Sequence, residues 1–444
     1  MQRLAMNQLK IWKANPTRKP LILRGARQVG KTYLLKQFGE AEFPKYHYIN
    51  FEEDQQAEQL FEKNLDPERI LNDLQLYLEK PIDKQTDLVI FDEIQRCPKA
   101  LTSLKYFHEK TPELALCTAG SLIGIYLSWD SFPVGQVTFL DLFPMTFEEF
   151  LLETGKQQFV TLLCEQTWKE PLPEIAHTKL WDLWKCYLII GGMPEVIEQY
   201  RKQQDNLLQV FQIVREIQKN LINTYMADIA KHSGKTNAMH IERLWRNVPA
   251  QLAHSLDGSA TKFKFKDAIP GYRGYERLVA PIDWLEKAGL ILKTSIVENT
   301  RIPLYGNTVE NRFKLYLLDV GLLGAMNGTP PTVYLDFNFS SYKGYVAENF
   351  VAQELVATGY RNLFCWEGRT SEIEFLIEAD NQIVPVEVKS GHITKSKSLK
   401  VYEGRYQPKY SFVLSGNNIR LSEHRSYIPI YAIGHLLKSY KQST

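Results

Sequence analysis

The sequence predicts an α/β chain built from three successive modules. Three stretches carry that reading. A short apolar run leads into Gly-x-x-x-x-Gly-Lys-Thr at 25–32, a second apolar run ends in Asp92-Glu93, and a Glu-x-Lys segment at 387–389 follows two shorter strand patterns. With 444 residues the chain has room for about two to four domains at roughly 100–200 residues each. The boundaries expected from pattern and composition are 1–200, 201–330 and 331–444. Lys plus Arg number 53 and Asp plus Glu 51, so the net charge is +2. That excludes tail-like nucleic-acid binding through bulk charge and leaves a local basic face open. A hydrophobic share of 44%, with 25 Gly and 21 Pro, argues against a disordered chain. The longest mostly apolar stretch, 114–127, is interrupted by Thr118, Gly120, Ser121 and Gly124 and is too short for a bilayer of ~30 Å. The five cysteines form no close pair, and Met1 to Pro20 holds no apolar leader. A reducing, cytoplasmic compartment without membrane insertion is expected.

The first element is the strand Leu21 to Leu23, followed by Gly25-Ala26-Arg27-Gln28-Val29-Gly30-Lys31-Thr32-Tyr33 and a helical pattern. Strand, glycine loop and helix are the context in which this spacing binds phosphate. Gly25 and Gly30 let the backbone curl so that the amides of 25–33 face a β-phosphate at a helix N-terminus. Lys31 reaches the β- and γ-phosphates, and the Thr32 hydroxyl suits Mg²⁺. A glycine turn before an amphipathic helix is the competing reading. The strand Asp87 to Phe91 then ends in Asp92 and Glu93, at the strand end where open α/β sheets bind ligands. Asp92 is suited to hold Mg²⁺ and Glu93 to polarise the water that attacks the γ-phosphate, so Glu93 and Lys31 are the expected catalytic pair, with ATP and Mg²⁺ as cofactors.

Between these motifs Lys45 to Phe51 reads as another strand. A further strand, Leu114 to Thr118, ends in Ala119-Gly120-Ser121. Thr118 or Ser121 is placed to sense the γ-phosphate, and a helix cap after Gly120 is the other reading. The sequence resembles prokaryotic AAA+ ATPases that pair the ATPase with a C-terminal domain of unknown function. The resemblance is carried by residues 25–32, Phe91 to Arg96, Ala119 to Ser121, Leu142 to Phe150 and Gly191 to Glu195. It implies ATP turnover. Many relatives carry an Arg where this chain has Gln136, so a trans-acting arginine is absent or moved to Arg96, Arg215 or Arg243.

Residues 147–200 are helical in pattern and read as the small lid of the ATPase module. From Gln203 to Lys231 helices continue, and Leu244 to Leu252 reads as a helix with a turn near Pro249. Thr261 to Asp267 alternates Lys and Phe, placing lysines and rings on opposite faces. A helix at 275–288, stopped by Gly289, precedes strands at 290–298 and 312–319. Helices followed by a two-stranded wing describe a winged helix-turn-helix. Lys262, Lys264, Lys266, Arg273 and Arg277 give it positive charge, so double-stranded DNA is an expected partner and a docked protein the alternative.

The last module carries Glu348 on an amphipathic helix, Glu374 on a strand, and Glu387 with Lys389 on the next. The period of two puts Glu387 and Lys389 on one face, and a hairpin sets Glu374 across from Glu387. Facing carboxylates bind Mg²⁺ through oxygen, and a nearby Lys orients water. A cross-strand Glu/Lys ion pair is the bland alternative. The pattern resembles the PD-(D/E)XK nuclease fold. By that resemblance the module is a restriction-endonuclease-like α/β domain, and Glu348, Glu374, Glu387 and Lys389 form a second metal site. The functions that follow are an ATP-driven switch repositioning the later modules, an ATP-regulated Mg²⁺-dependent nuclease acting on DNA or RNA, or a nucleotide-stabilised module binding a protein.

Overall fold

The computed structural model of the chain describes residues 1–121, 132–203, 206–254, 261–266, 268–335, 344–379, 381–392, 395–422 and 424–442. Residues 122–127 of the longest apolar stretch, and Asp267 at the end of the Lys/Phe alternation, lie outside the described residues. By its contacts the chain divides into two units. One is Met1–Phe143 with Lys287–Gly289, and the other is Pro144–Glu286 with Leu290–Thr444.

The first unit holds α1 (Ala5–Ala14), β1 (Leu21–Arg24), α2 (Lys31–Glu42), β2 (Tyr46–Asn50), α3 (Pro67–Leu78), β3 (Leu88–Asp92), α4 (Pro98–Lys110), β4 (Ala115–Gly120) and β5 (Thr138–Asp141). Its sheet runs β2-β3-β4-β1-β5, with every neighbouring pair parallel. Sheets of this kind are covered on both faces, which explains why β3 and β4 are buried along their whole length and read as mostly apolar runs. Phe51, Phe61, Phe91 and Phe107 meet in the core beneath α3 and α4, with ring centroids about 6 Å apart. In register, Arg24 lies beside Gly120, Phe91 beside Thr118, and Asn50 beside Asp92. The C-terminal end of the sheet therefore collects the ends of the inner strands β1, β3 and β4.

The second unit opens with α5 (Phe147–Glu153), α6 (Gln157–Glu165), α7 (Glu174–Ile190), α8 (Pro194–Lys202), α9 (Leu207–His232), α10 (Lys235–Ala253) and α11 (Val279–Lys287). Next come β6 (Ile291–Val297), β7 (Thr308–Leu317), α12 (Val320–Met326), α13 (Thr332–Leu335), α14 (Gly344–Ala357), β8 (Leu363–Glu367), β9 (Glu372–Ala379) and β10 (Gln382–Val388). The unit closes with α15 (Lys397–Tyr406), β11 (Ser411–Ser415), β12 (Arg420–Leu421), β13 (Arg425–Pro429) and α16 (Ile433–Gln442). An eight-stranded mixed sheet runs β12-β13-β11-β10-β9-β8-β6-β7.

Several features differ from the sequence-based expectation. Residues 144–200, expected with the first module, belong to the second unit. The Phe147 N–H donates to Glu354 at 2.9 Å, Gln353 donates to the Tyr187 hydroxyl at 2.7 Å, and Phe147, Trp184 and Tyr187 pack edge-on against Phe350 of α14. The strands expected as a free-standing wing are joined to the larger sheet. β6 pairs antiparallel with β7 and parallel with β8, so hydrogen bonding crosses residue 330. α10 continues through Pro249 where a turn is expected. Burial of Leu244, Trp245, Val248 and Leu252 along one face outweighs the missing proline N–H. The Lys/Phe segment is extended but not a strand of the sheet. Phe263 is buried against Phe313, with its N–H on the Phe313 carbonyl at 2.8 Å, while Lys264 and Lys266 face solvent.

Candidate functional site

The loop between β1 and α2 is held in a conformation that its residues dictate. Gly25 has φ +155° and Gly30, capping α2, has φ +92°; both lie where a side chain is strained. A Cβ on Gly25 would sit 2.1 Å from the Leu142 carbonyl oxygen, so nothing larger than hydrogen fits there. Gln28 also takes a positive φ of 63°, completing the curl. Ala26 and Val29 are buried beneath the loop and Tyr33 is exposed on α2. Lys31 is buried, and its ammonium donates to the carbonyls of Gly25 at 3.0 Å and Ala26 at 2.7 Å. The loop thus carries an internal cation aimed across its own concavity.

The end of β3 closes on this loop. The Thr32 hydroxyl donates to Asp92 Oδ2 at 2.6 Å, and the Tyr48 hydroxyl donates to the same oxygen at 2.9 Å. Glu93 takes a left-handed φ of 48°, its N–H donates to Asp92 Oδ1 at 3.0 Å, and its carboxylate accepts from Gln95. Burial pushes the Glu93 carboxyl above its ordinary range, against the opposing pull of Gln95 and Lys31. On the neighbouring strand Thr118 is fully buried and its hydroxyl has no hydrogen-bond partner. Ser121 accepts from Arg27 Nε at 3.2 Å. A buried hydroxyl without a partner costs about 1–3 kcal/mol, which fits a place completed by a ligand oxygen. These residues suit a magnesium triphosphate: amides and ammonium for the phosphates, Thr32 and Asp92 for the cation, and Glu93 for water.

Gln95 and Tyr48 are partners that motif reading missed. Tyr48 stands on the face of β2 toward Asp92, a placement that depends on which strands are neighbours. Of the arginines considered for action on a second nucleotide, Arg215 is committed elsewhere. It donates to Gln218 at 2.6 Å and to the carbonyls of Gly321 and Thr329 at 3.0 and 3.2 Å. Arg96 pairs with Glu52 at 2.5 Å, Arg243 is exposed, and Gln136 stands in a turn closed by its N–H on the Pro133 carbonyl at 3.1 Å.

In the second unit, Glu374 of β9, Glu387 of β10 and Lys389 just beyond it come near Glu348 of α14. Lys389 lies 2.9 Å from Glu387, and Glu374 accepts from the Val388 N–H at 3.1 Å. Burial, with Glu348 and Glu387 nearby, raises the Glu374 pKa, while Lys389 opposes the rise. Lys314 on β7 is a member the sequence reading missed. It is buried 3.6 Å from Glu348 and 3.4 Å from Glu372, and the Tyr316 hydroxyl donates to Glu348 at 2.7 Å. Burial alone would lower the Lys314 pKa; the facing carboxylates outweigh it and hold the ammonium charged. The alternation Lys314-Leu315-Tyr316 and the i, i+2 pair Glu372/Glu374 are the sequence signals for this extension. Among the described residues, Glu348, Glu374 and Glu387 do not bring three ligand oxygens within 4.8 Å of one another.

Among the described residues no helix is long and apolar enough to cross a membrane. A family described as an AAA domain matches residues 17–151. A domain of unknown function (DUF8612) matches 182–333, and another (DUF4143) matches 343–433. Among solved structures, a Walker-type ATPase of Pyrococcus abyssi is similar at 17% identity and TM-score 0.45, over 72% of this chain and 94% of its own. The Aeropyrum pernix ORC1 protein in complex with DNA is 12% identical with TM-score 0.32, over 76% and 95%. RuvB of Thermotoga maritima is 13% identical with TM-score 0.29, over 68% and 87%. A search of curated proteins finds no match. Residues 17–151 are thus similar to an AAA domain, over the stretch that holds β1 to β5 and the glycine loop.

Proposed function

We propose that this chain binds and hydrolyses ATP at the loop of residues 25–33, and that nucleotide state repositions the second unit. The observation that carries the reading is the 2.6 Å hydrogen bond from Thr32 to Asp92, which joins two motifs 60 residues apart. Both groups then face one cation, which when bound neutralises charge on the phosphates. Lys31 exchanges its two loop carbonyls for phosphate oxygens. Glu93 orients the attacking water and takes its proton, and its raised pKa keeps it basic enough to do so. Thr118 donates its hydroxyl to the γ-phosphate or to that water.

In the second unit, residues 201–330 act as a winged helix-turn-helix toward double-stranded DNA, with Lys264, Lys266, Arg273 and Arg277 exposed. Residues 331–444 act as a nuclease-like fold. Its support is the order of α14, antiparallel β8-β9-β10, α15, and β11 parallel to β10. Lys314 already neutralises Glu348, which favours a binding role for this fold over Mg²⁺-dependent cutting of DNA or RNA.

The deciding experiment measures ATP hydrolysis by wild type, Lys31→Ala and Glu93→Gln, each with and without double-stranded DNA. Lys31→Ala loses nucleotide binding. Glu93→Gln retains binding with turnover lowered roughly 10²-fold or more. Equal turnover by wild type and Glu93→Gln removes Glu93 from the mechanism. A rate indifferent to DNA, with a protein partner recovered regardless of Lys31, supports the nucleotide-stabilised docking module instead.

A further inference from the structure

In the second unit, α5, α6 and α16 bring together a carboxylate, a thiol and an imidazole. Glu148, Cys164 and His435 each offer one ligand atom, and these atoms all lie within 4.8 Å of one another. Glu148 and His435 are 7% and 5% exposed, while Cys164 opens to solvent. The second observation concerns the imidazole. His435 Nε2 lies 3.1 Å from Glu148 Oε2, yet in no hydrogen-bond geometry to it or to anything else. A buried nitrogen left in that position points at a shared space with the carboxylate and is not bonded to it. We propose that Glu148, Cys164 and His435 form a site for a borderline divalent transition metal such as Zn²⁺, with solvent as the fourth ligand.

The donor set selects the ion. One thiolate and one imidazole favour Zn²⁺ over Mg²⁺ or Ca²⁺, which take oxygen. Ligand atoms around a tetrahedral zinc stand ~3.5 Å apart, so the cluster must tighten by on the order of 1 Å. Rotation of the exposed Cys164 side chain supplies that movement. The imidazole presents Nε2, buried and without a hydrogen-bond partner, on the side of the carboxylate, and that is the atom through which it would ligate. A cysteine thiol is ordinarily protonated near neutral pH, so Cys164 enters as S–H. Its S–H bond breaks as the metal–sulfur bond forms, and one proton passes to solvent. Lys438 opposes the metal, since its ammonium contacts Glu148. That side chain is partly exposed and can swing into water when a divalent ion takes its place. An occupied site would tie the C-terminal helix to the α5–α6 pair.

The test titrates the purified full chain with Co²⁺ and then displaces it with Zn²⁺. One equivalent of Co²⁺ produces a thiolate-to-metal charge-transfer band in the near ultraviolet, with release of a proton. Cys164→Ser, a surface substitution, abolishes the band, while Lys438→Gln tightens binding roughly two- to fivefold, the size of a partly exposed ion pair. No band in wild type, or the same band in Cys164→Ser, overturns the proposal. Weaker binding by Lys438→Gln also overturns it, because it would make the ammonium part of the site.

Discussion

Under the proposed ATP turnover, Thr118 separates what folding wants from what hydrolysis wants. Its hydroxyl is fully buried and unsatisfied, so Thr118→Val leaves shape nearly unchanged while removing a desolvated donor. The expected outcome is a protein about 1 kcal/mol more stable by denaturant unfolding, with slower ATP hydrolysis. Lys314 is the opposite case. Its charge balances Glu348 and Glu372, and Lys314→Met strands those carboxylates beside Glu374. Breaking a buried pair from one side costs about 3–5 kcal/mol, which chemical denaturation would register as a lowered midpoint. Only one of the two stands out in a linear scan. Thr118 was legible as a strand end beside the phosphate loop. Lys314 was not, because its meaning depends on β7 joining the sheet that carries Glu348's neighbours.

At the scale of elements, legibility followed burial. β1, β3 and β4 are mostly apolar because both faces are covered, and each was visible in the chain. β5, only Thr138–Asp141, was missed: one of its four residues is buried, so it shows neither an apolar run nor clean alternation. α1 was missed because only Leu9 and Trp12 are buried along it. The proline in α10 misled in the other direction, since local chemistry forecast a turn that packing overrode. The phosphate loop was legible because its glycines answer a backbone requirement. Gly25→Ala meets the Leu142 carbonyl at 2.1 Å, so it should abolish ATP uptake in calorimetry while α2 and the sheet persist by circular dichroism.

Across the molecule, the second unit hides carboxyls that resist ionisation. Burial raises Glu354 to about 8; Glu148 and Glu149 add to the rise, while the Phe147 N–H and Lys438 oppose it. Burial likewise raises Asp319 to about 6, although the Gly192 and Leu322 N–H groups donate to it. In the unfolded chain these groups lose their protons near pH 4, so their contribution is fully present below that pH and is lost as pH rises through 6 and then 8. Thermal unfolding should therefore move down by on the order of 5 °C between pH 5 and pH 9. Glu354→Gln, which keeps an acceptor for Phe147, should flatten the upper part of that decline. A slope unaffected by Glu354→Gln would assign the decline to other groups.

The pairing of β6 with β8 has a practical outcome for anyone dividing this polypeptide. A truncation at residue 330 would strip β8 of its parallel neighbour and leave a row of bare amides and carbonyls along an apolar strand. The liberated C-terminal piece should self-associate in gel filtration, whereas a piece that begins at residue 144 should run as a monodisperse particle.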